Sequence, residues 1–238
     1  MFLKTFTLIY LLSMLNALNA KDNVILLHGL LRSSNSFSKL ENELKRRNYH
    51  TINQDYPSRK YLIEELALST IDKAISKCNT DGKIHFVTHS MGGILLRYYL
   101  KTKNIPNLGN VVMLAPPNKG SEVIDKLKRF WLFRFMNGPA SLQLGTSKDS
   151  LPNSIGEANF NLGIIAGNKS FNLILSCLLP GVDDGKVTIE NTKLEGMKDH
   201  IVMPTSHIFI MNNKKVWHQI FNFISKSEFD HPVTTLKQ

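Results

Sequence analysis

Short apolar runs alternate along the chain with longer stretches of mixed character. Val24-Ile25-Leu26-Leu27, Ile84-His85-Phe86-Val87, residues 50–53 and the runs about Val111 and Gly163 predict strands. Between them, residues 37–47, 62–77 and 92–103 place apolar side chains at helical spacing, and 214–224 does so again near the C-terminal end. Alternation of this kind predicts a mostly parallel central sheet with helices on both faces, an α/β architecture. No internal repeat, low-complexity tract or Pro/Ser-rich linker interrupts it, and 238 residues suit a single unit with a large core.

Two segments depart from the alternation. At the start, Lys4 precedes an apolar stretch over residues 6–18 that ends in Asn19-Ala20. This predicts a secretory signal peptide over 1–20, cleaved after Ala20 with Ala17 a competing site, and a mature domain over 21–238. The stretch is shorter than the about 20 apolar residues of a membrane span and is broken by Thr7, Ser13 and Asn16. The expected location is therefore outside the cytoplasm, periplasmic or secreted. The second departure, residues 116–160, is long for a connection between a strand and the next strand. It carries an amphipathic piece and then the aromatic run Phe130, Trp131, Phe133 and Phe135.

Charge and cysteine content narrow the picture. The formal net charge is +10, with clusters at Lys45-Arg46-Arg47 and at Lys126, Lys128 and Arg129. This excess suits peripheral contact with an anionic membrane surface; the absence of any nucleic-acid motif and the expected export make nucleic acid a poor partner, and none is expected. Cys78 and Cys177 have no metal-ligand spacing with other Cys or His, so no metal site is expected and both read as free thiols.

The candidate chemistry centres on Thr88-His89-Ser90-Met91-Gly92-Gly93, which follows an apolar strand and opens a helix-compatible stretch. A strand, a sharp turn with serine at its tip and a helix make a nucleophile elbow. Held there, a serine hydroxyl meets a base on one side and the helix amides on the other. Gly92 lets the helix pack close to the strand, and Gly93 relieves crowding behind it. Thr88 stands where the usual Gly-x-Ser-x-Gly pattern has its first glycine, so a threonine side chain must fit beside the elbow. The blander reading of Ser90 is a helix cap.

Upstream, Val24-Ile25-Leu26-Leu27 runs into His28-Gly29-Leu30-Leu31, and further phrases follow at Leu114-Ala115-Pro116-Pro117-Asn118, Ile165-Ala166-Gly167-Asn168 and Gly181-Val182-Asp183-Asp184-Gly185-Lys186-Val187. With the elbow, they resemble a group of bacterial lipase/esterase-like α/β-hydrolases over nearly all of the chain beyond residue 22. The resemblance implies an oxyanion hole from the backbone N–H groups of Leu30 and Met91, and a triad in the order serine, acid, histidine. It implies Asp184 as the acid, with Asp183 the runner-up; an Asp-Gly turn is the structural alternative. Of the later histidines, His207 follows a Pro-interrupted strand-like segment where a loop carries a base over the sheet, whereas His200 belongs at the strand's opposite end. His28 braces the turn, and His85 and His89 lie too close to the elbow to complete a triad. The fold also implies that the 116–160 insertion is a cap, with Phe130, Trp131, Phe133 and Phe135 expected to line an acyl pocket or, alternatively, to pack as core.

Taken together, residues and resemblance predict an exported serine hydrolase that cleaves small-molecule or lipid carboxylic esters through Ser90, His207 and Asp184, with no cofactor. A thioesterase or acyltransferase uses the same apparatus with another leaving group or acceptor. From a different class, a non-catalytic envelope-binding protein on the same fold is the rival. Oligomeric state is not legible.

Overall fold

In a computed structural model, which describes residues 21–171 and 173–231, six strands form one sheet in the order β2-β1-β3-β4-β5-β6. They are β1 (Asn23–Leu27), β2 (His50–Gln54), β3 (Ile84–His89), β4 (Leu108–Leu114), β5 (Leu162–Gly167) and β6 (Asp199–Met203). Every pairing is parallel. The expected signal peptide lies outside the described residues.

Alternation along the strands decides what covers each face. In β1, Val24 and Leu26 pack with Leu40 and Leu44 of α1 (Ser38–Arg46) and with Val216, Ile220 and Phe223 of the last long helix. Ile25 and Leu27 point the other way, into a cluster with Ile63, Leu66 and Ile71 of α2 (Ile63–Ile75) and Ile94 and Leu95 of α3 (Met91–Thr102). Successive side chains of a strand leave opposite faces, so a run apolar at every position requires both faces covered.

The 116–160 segment folds into short helices, among them α4 (Glu122–Leu127) and α5 (Trp131–Asn137), on the α2/α3 side. A buried cation ties it down. Arg97 of α3 is 3% exposed and donates to the carbonyl oxygens of Asn118, Pro152 and Gly156 and to Asn118 Oδ1, at 2.7–3.2 Å. No carboxylate pairs with its charge among the described residues, and burial pushes its pKa down to about 10. Carbonyl dipoles from both ends of the insertion thus converge on one guanidinium, which fixes the insertion's base while its tip, at α5, buries no side chain. α6 (Lys214–Lys226) closes the sheet, capped by the Asn213 side chain on the Lys215 amide.

Candidate active site

Three parallel strands deliver the site from their C-terminal ends. β3 runs into α3 through Ser90, which holds φ 52° and ψ −123°, a conformation that L-residues avoid. The helix can start so abruptly because Gly92 has no Cβ: one built there would lie 2.5 Å from Leu27 O and 2.7 Å from His28 O of the neighbouring turn. Thr88 fits in the place of the usual glycine for a similar reason. Its buried Oγ1 would sit 3.2 Å from a Cβ on Gly93, so the room is supplied by the second glycine of the pair. That hydroxyl has no hydrogen-bond partner among the described residues.

The loop after β6 brings His207 over the sheet, and the loop after β5 brings Asp184 beside it. His207 Nε2 lies 3.0 Å from Ser90 Oγ and Nδ1 lies 2.7 Å from Asp184 Oδ2. The other carboxylate oxygen of Asp184 accepts the N–H groups of Lys186 and Val187, at 3.0 and 2.9 Å. Gly167, at the end of β5, permits this meeting: a Cβ there would lie 2.9 Å from Asp184 Cβ. Asp183, although adjacent, turns away and accepts from Ser176 Oγ and the Gly185 N–H. His200 sits in β6 and contacts Thr192 Oγ1 at 3.0 Å, apart from the serine.

His207 is also held through its backbone. Its N–H donates to Asp184 O, and its carbonyl accepts from His89 Nε2, both at 2.9 Å. Burial, then repulsion from His207, keeps the His89 ring well below the usual histidine range and hence neutral. The ring therefore donates from Nε2 in one tautomer. Sequence reasoning left His89 out of the triad and had no means of finding this bracing role.

On the opposite side, the turn 28–32 presents Leu30. Leu30 and Met91 donate their amides to no acceptor among the described residues, and Met91 is the first residue of α3, where no helical carbonyl is available. Gly29 allows the turn to approach, since a Cβ on it would lie 3.1 Å from Ser90 Cβ. His28 braces the turn as expected. Its ring stacks on Tyr56 at 4.1 Å, Nδ1 lies 2.9 Å from Gly29 O, and Nε2 accepts the Tyr56 N–H at 3.3 Å. Asp55 lies 3.4 Å from Nε2 but is largely solvated, so burial dominates and lowers the histidine pKa.

A cavity opens above Ser90 and His207, with Val123, Ile124, Leu127, Phe133 and Leu144 of the insertion along its wall. The expected four-aromatic acyl pocket needs correction. Phe133 lines the cavity, but Phe130, Trp131 and Phe135 do not, and they are 49%, 75% and 75% exposed. A seven-residue helix set on the surface turns only one side inward; Trp131 and Phe135 fall on the other, and Phe130 precedes the helix in extended backbone as its N-cap. Nor are they core.

The buried histidines make stability depend on pH. Burial, the largest cause in each case, lowers the pKa of His28, His85, His89 and His200 from the ordinary 6.5. The unfolded chain therefore binds protons that the folded one refuses. Stability from these groups is present above 6.5 and is lost as pH falls below it, by up to about 1.4 kcal/mol per pH unit for each fully neutral histidine. We expect the thermal midpoint to fall between about pH 7 and pH 5, before carboxylates titrate. His28→Gln should flatten that slope. An unchanged slope in the variant would remove His28 from the account.

No protein family and no curated protein sequence matches the chain. Solved structures do. A Bacillus licheniformis lipase, BlEst2 in its mature form, is 21% identical over 87% of this chain and 92% of its own, with a TM-score of 0.61. The phospholipase PlaB from Legionella pneumophila is 19% identical over 79% of this chain, with a TM-score of 0.62, and the match spans 53% of PlaB. The metagenomic carboxyl esterase MGS0156 is 20% identical over 80% of this chain and 66% of its own, with a TM-score of 0.59. Identities this low speak to architecture alone, and the parallel six-stranded sheet with its covering helices is that of an α/β-hydrolase fold.

Proposed function

We propose that the protein is an exported serine hydrolase that cleaves carboxylic esters. The observation that carries this reading is the array Ser90 Oγ, His207 Nε2 and Asp184 Oδ2, joined at 3.0 and 2.7 Å on a strained elbow. His207 takes the Ser90 proton as Oγ attacks the ester carbonyl, and Asp184 stabilises the imidazolium so formed. The amides of Leu30 and Met91 bind the developing oxyanion. Collapse breaks the bond to the alcohol oxygen, which leaves with the proton from His207. Water then attacks the acyl-enzyme by the same route, releasing the acid and restoring Ser90. The apolar insertion wall suits an acyl chain, and the neighbouring lipase and esterase folds support ester hydrolysis as the chemistry. The test is hydrolysis of p-nitrophenyl esters by the purified protein, together with fluorophosphonate labelling located by mass spectrometry. Label on a residue other than Ser90 would displace it as the nucleophile, and no label with no turnover would favour a non-catalytic envelope-binding protein.

The export part of the reading rests on residues 1–20 and is tested by the N-terminal sequence of protein recovered from the cell envelope or medium. A partner surface accompanies it. Trp131, Leu132, Phe135 and Met136 are each more than half exposed on α5 beside the cavity, with Lys126, Arg129 and Arg134 exposed around them. Apolar side chains ringed by cations suit the interface of an anionic bilayer. We expect vesicles containing phosphatidylglycerol to retain the protein and pure phosphatidylcholine vesicles to retain much less. Because burying one large aromatic contributes about 2 kcal/mol, Trp131→Ala with Phe135→Ala should weaken vesicle binding by more than tenfold. Equal binding by this variant would rule the face out.

A further inference from the structure

The cavity over Ser90 has two kinds of wall. One is the apolar insertion; the other carries Arg32 and Lys186, contributed by the oxyanion turn and by the loop of the triad acid. Neither cation has a carboxylate partner of its own among the described residues. Asp184, whose field reaches Lys186, is already bound to His207 and to two amides.

The backbones beneath both cations are fixed. Lys186 donates its N–H to Asp184 Oδ1 and accepts Ser121 Oγ on its carbonyl, at 3.0 and 2.8 Å. Arg32 closes the turn onto Gly29 O, and the intervening Leu31, at φ 60°, is pinned by Ser58 Oγ. The two charges are near enough to repel: burial and then Arg32 lower the Lys186 pKa, and both cations depress His89. Like charges lining one cavity beside a nucleophile, neither paired with a carboxylate of its own among the described residues, leave an attractive field for an anion.

We propose that Arg32 and Lys186 form an anion subsite, and that the ester cleaved at Ser90 carries a phosphate on its alcohol, a few bonds from the scissile carbonyl. The inference rests on the ester-hydrolase reading above and narrows its substrate to phosphate-bearing acyl esters. The acyl chain lies along the insertion wall, and the phosphate, paired with both cations, holds the leaving oxygen near His207 Nε2. Hydrolysis then gives a carboxylic acid and a phosphorylated alcohol, with no change at phosphorus.

The experiment compares 1-hexanoylglycerol with 1-hexanoylglycerol 3-phosphate as monomers. In the wild-type protein the phosphate ester should show the higher kcat/KM, by about tenfold or more, since each charge-assisted contact is worth roughly that factor. The ratio should shrink with added salt and approach unity in the variant carrying Arg32→Gln and Lys186→Gln. A wild-type ratio at or below one, or a variant that keeps the preference, would overturn the proposal.

A second measurement does not depend on turnover. Decyl phosphate should bind the Ser90→Ala protein at least about tenfold more tightly than decanol in calorimetry, and the two cation substitutions should abolish the difference. Preference retained without any ester hydrolysis would keep the subsite and sink the hydrolase reading; hydrolysis without preference does the reverse. The palmitoyl pair presented in vesicles separates sources. A preference that persists there assigns a lipid headgroup, and one confined to monomers a soluble ester.

Discussion

Ser90→Ala is expected to lower ester-hydrolysis kcat by on the order of 10⁶-fold and to eliminate fluorophosphonate labelling, while the fold survives. The size follows from how the triad acts. Serine, histidine and aspartate carry out one proton transfer, so losing the attacking oxygen removes nearly the whole chemical contribution and leaves only binding and the oxyanion amides. The fold should persist because the elbow geometry is imposed from around Ser90 rather than by its hydroxyl. Gly92 approaches the carbonyls of Leu27 and His28, and the Ser90 N–H is held by Leu114 O at 2.9 Å. Alanine keeps the Cβ and the strained φ. The check is kcat alongside thermal melting; a folded variant that still labels and still turns over would displace Ser90 as the nucleophile.

The second large effect separates neighbours that look alike in the sequence. His207→Ala should reduce kcat by about 10⁴-fold or more, and Asp184→Asn by a comparable factor, because amide for carboxylate presents the wrong partner to the imidazole tautomer. His200→Ala and Asp183→Asn should cost far less. The His200 ring bonds Thr192, away from Ser90, and Asp183 commits its carboxylate to Ser176 and the Gly185 amide. Steady-state kinetics on the four variants decides it. Should Asp183→Asn prove as damaging as Asp184→Asn, the acid loop would rearrange in the working enzyme.

Much of the candidate site was legible in the sequence. A serine between an apolar strand and a helix, and a histidine beyond a Pro-interrupted strand, are local patterns, and local patterns follow from covalent neighbours. The resemblance singled out Asp184 over Asp183, and the loop places Asp184 against the histidine. The aromatic run was read less well. Its residues recur at spacing that suits a buried helix face, yet α5 sits on the surface and turns Trp131 and Phe135 outward. Periodicity states that a helix has a face, not which way the face looks.

The elements, their order and the elbow were determined by the sequence itself, because strand runs, helical spacing and glycine pairs act within a few residues. Tertiary structure decided everything that depends on distant loops arriving at one place. His89 braces a carbonyl 118 residues away, Arg97 gathers carbonyls from both ends of the insertion, and Arg32 and Lys186 line one cavity. The physical reason is that a charge or a hydrogen-bonding group acts through space over a few ångströms, and only the folded sheet brings the C-terminal ends of separate strands within that reach.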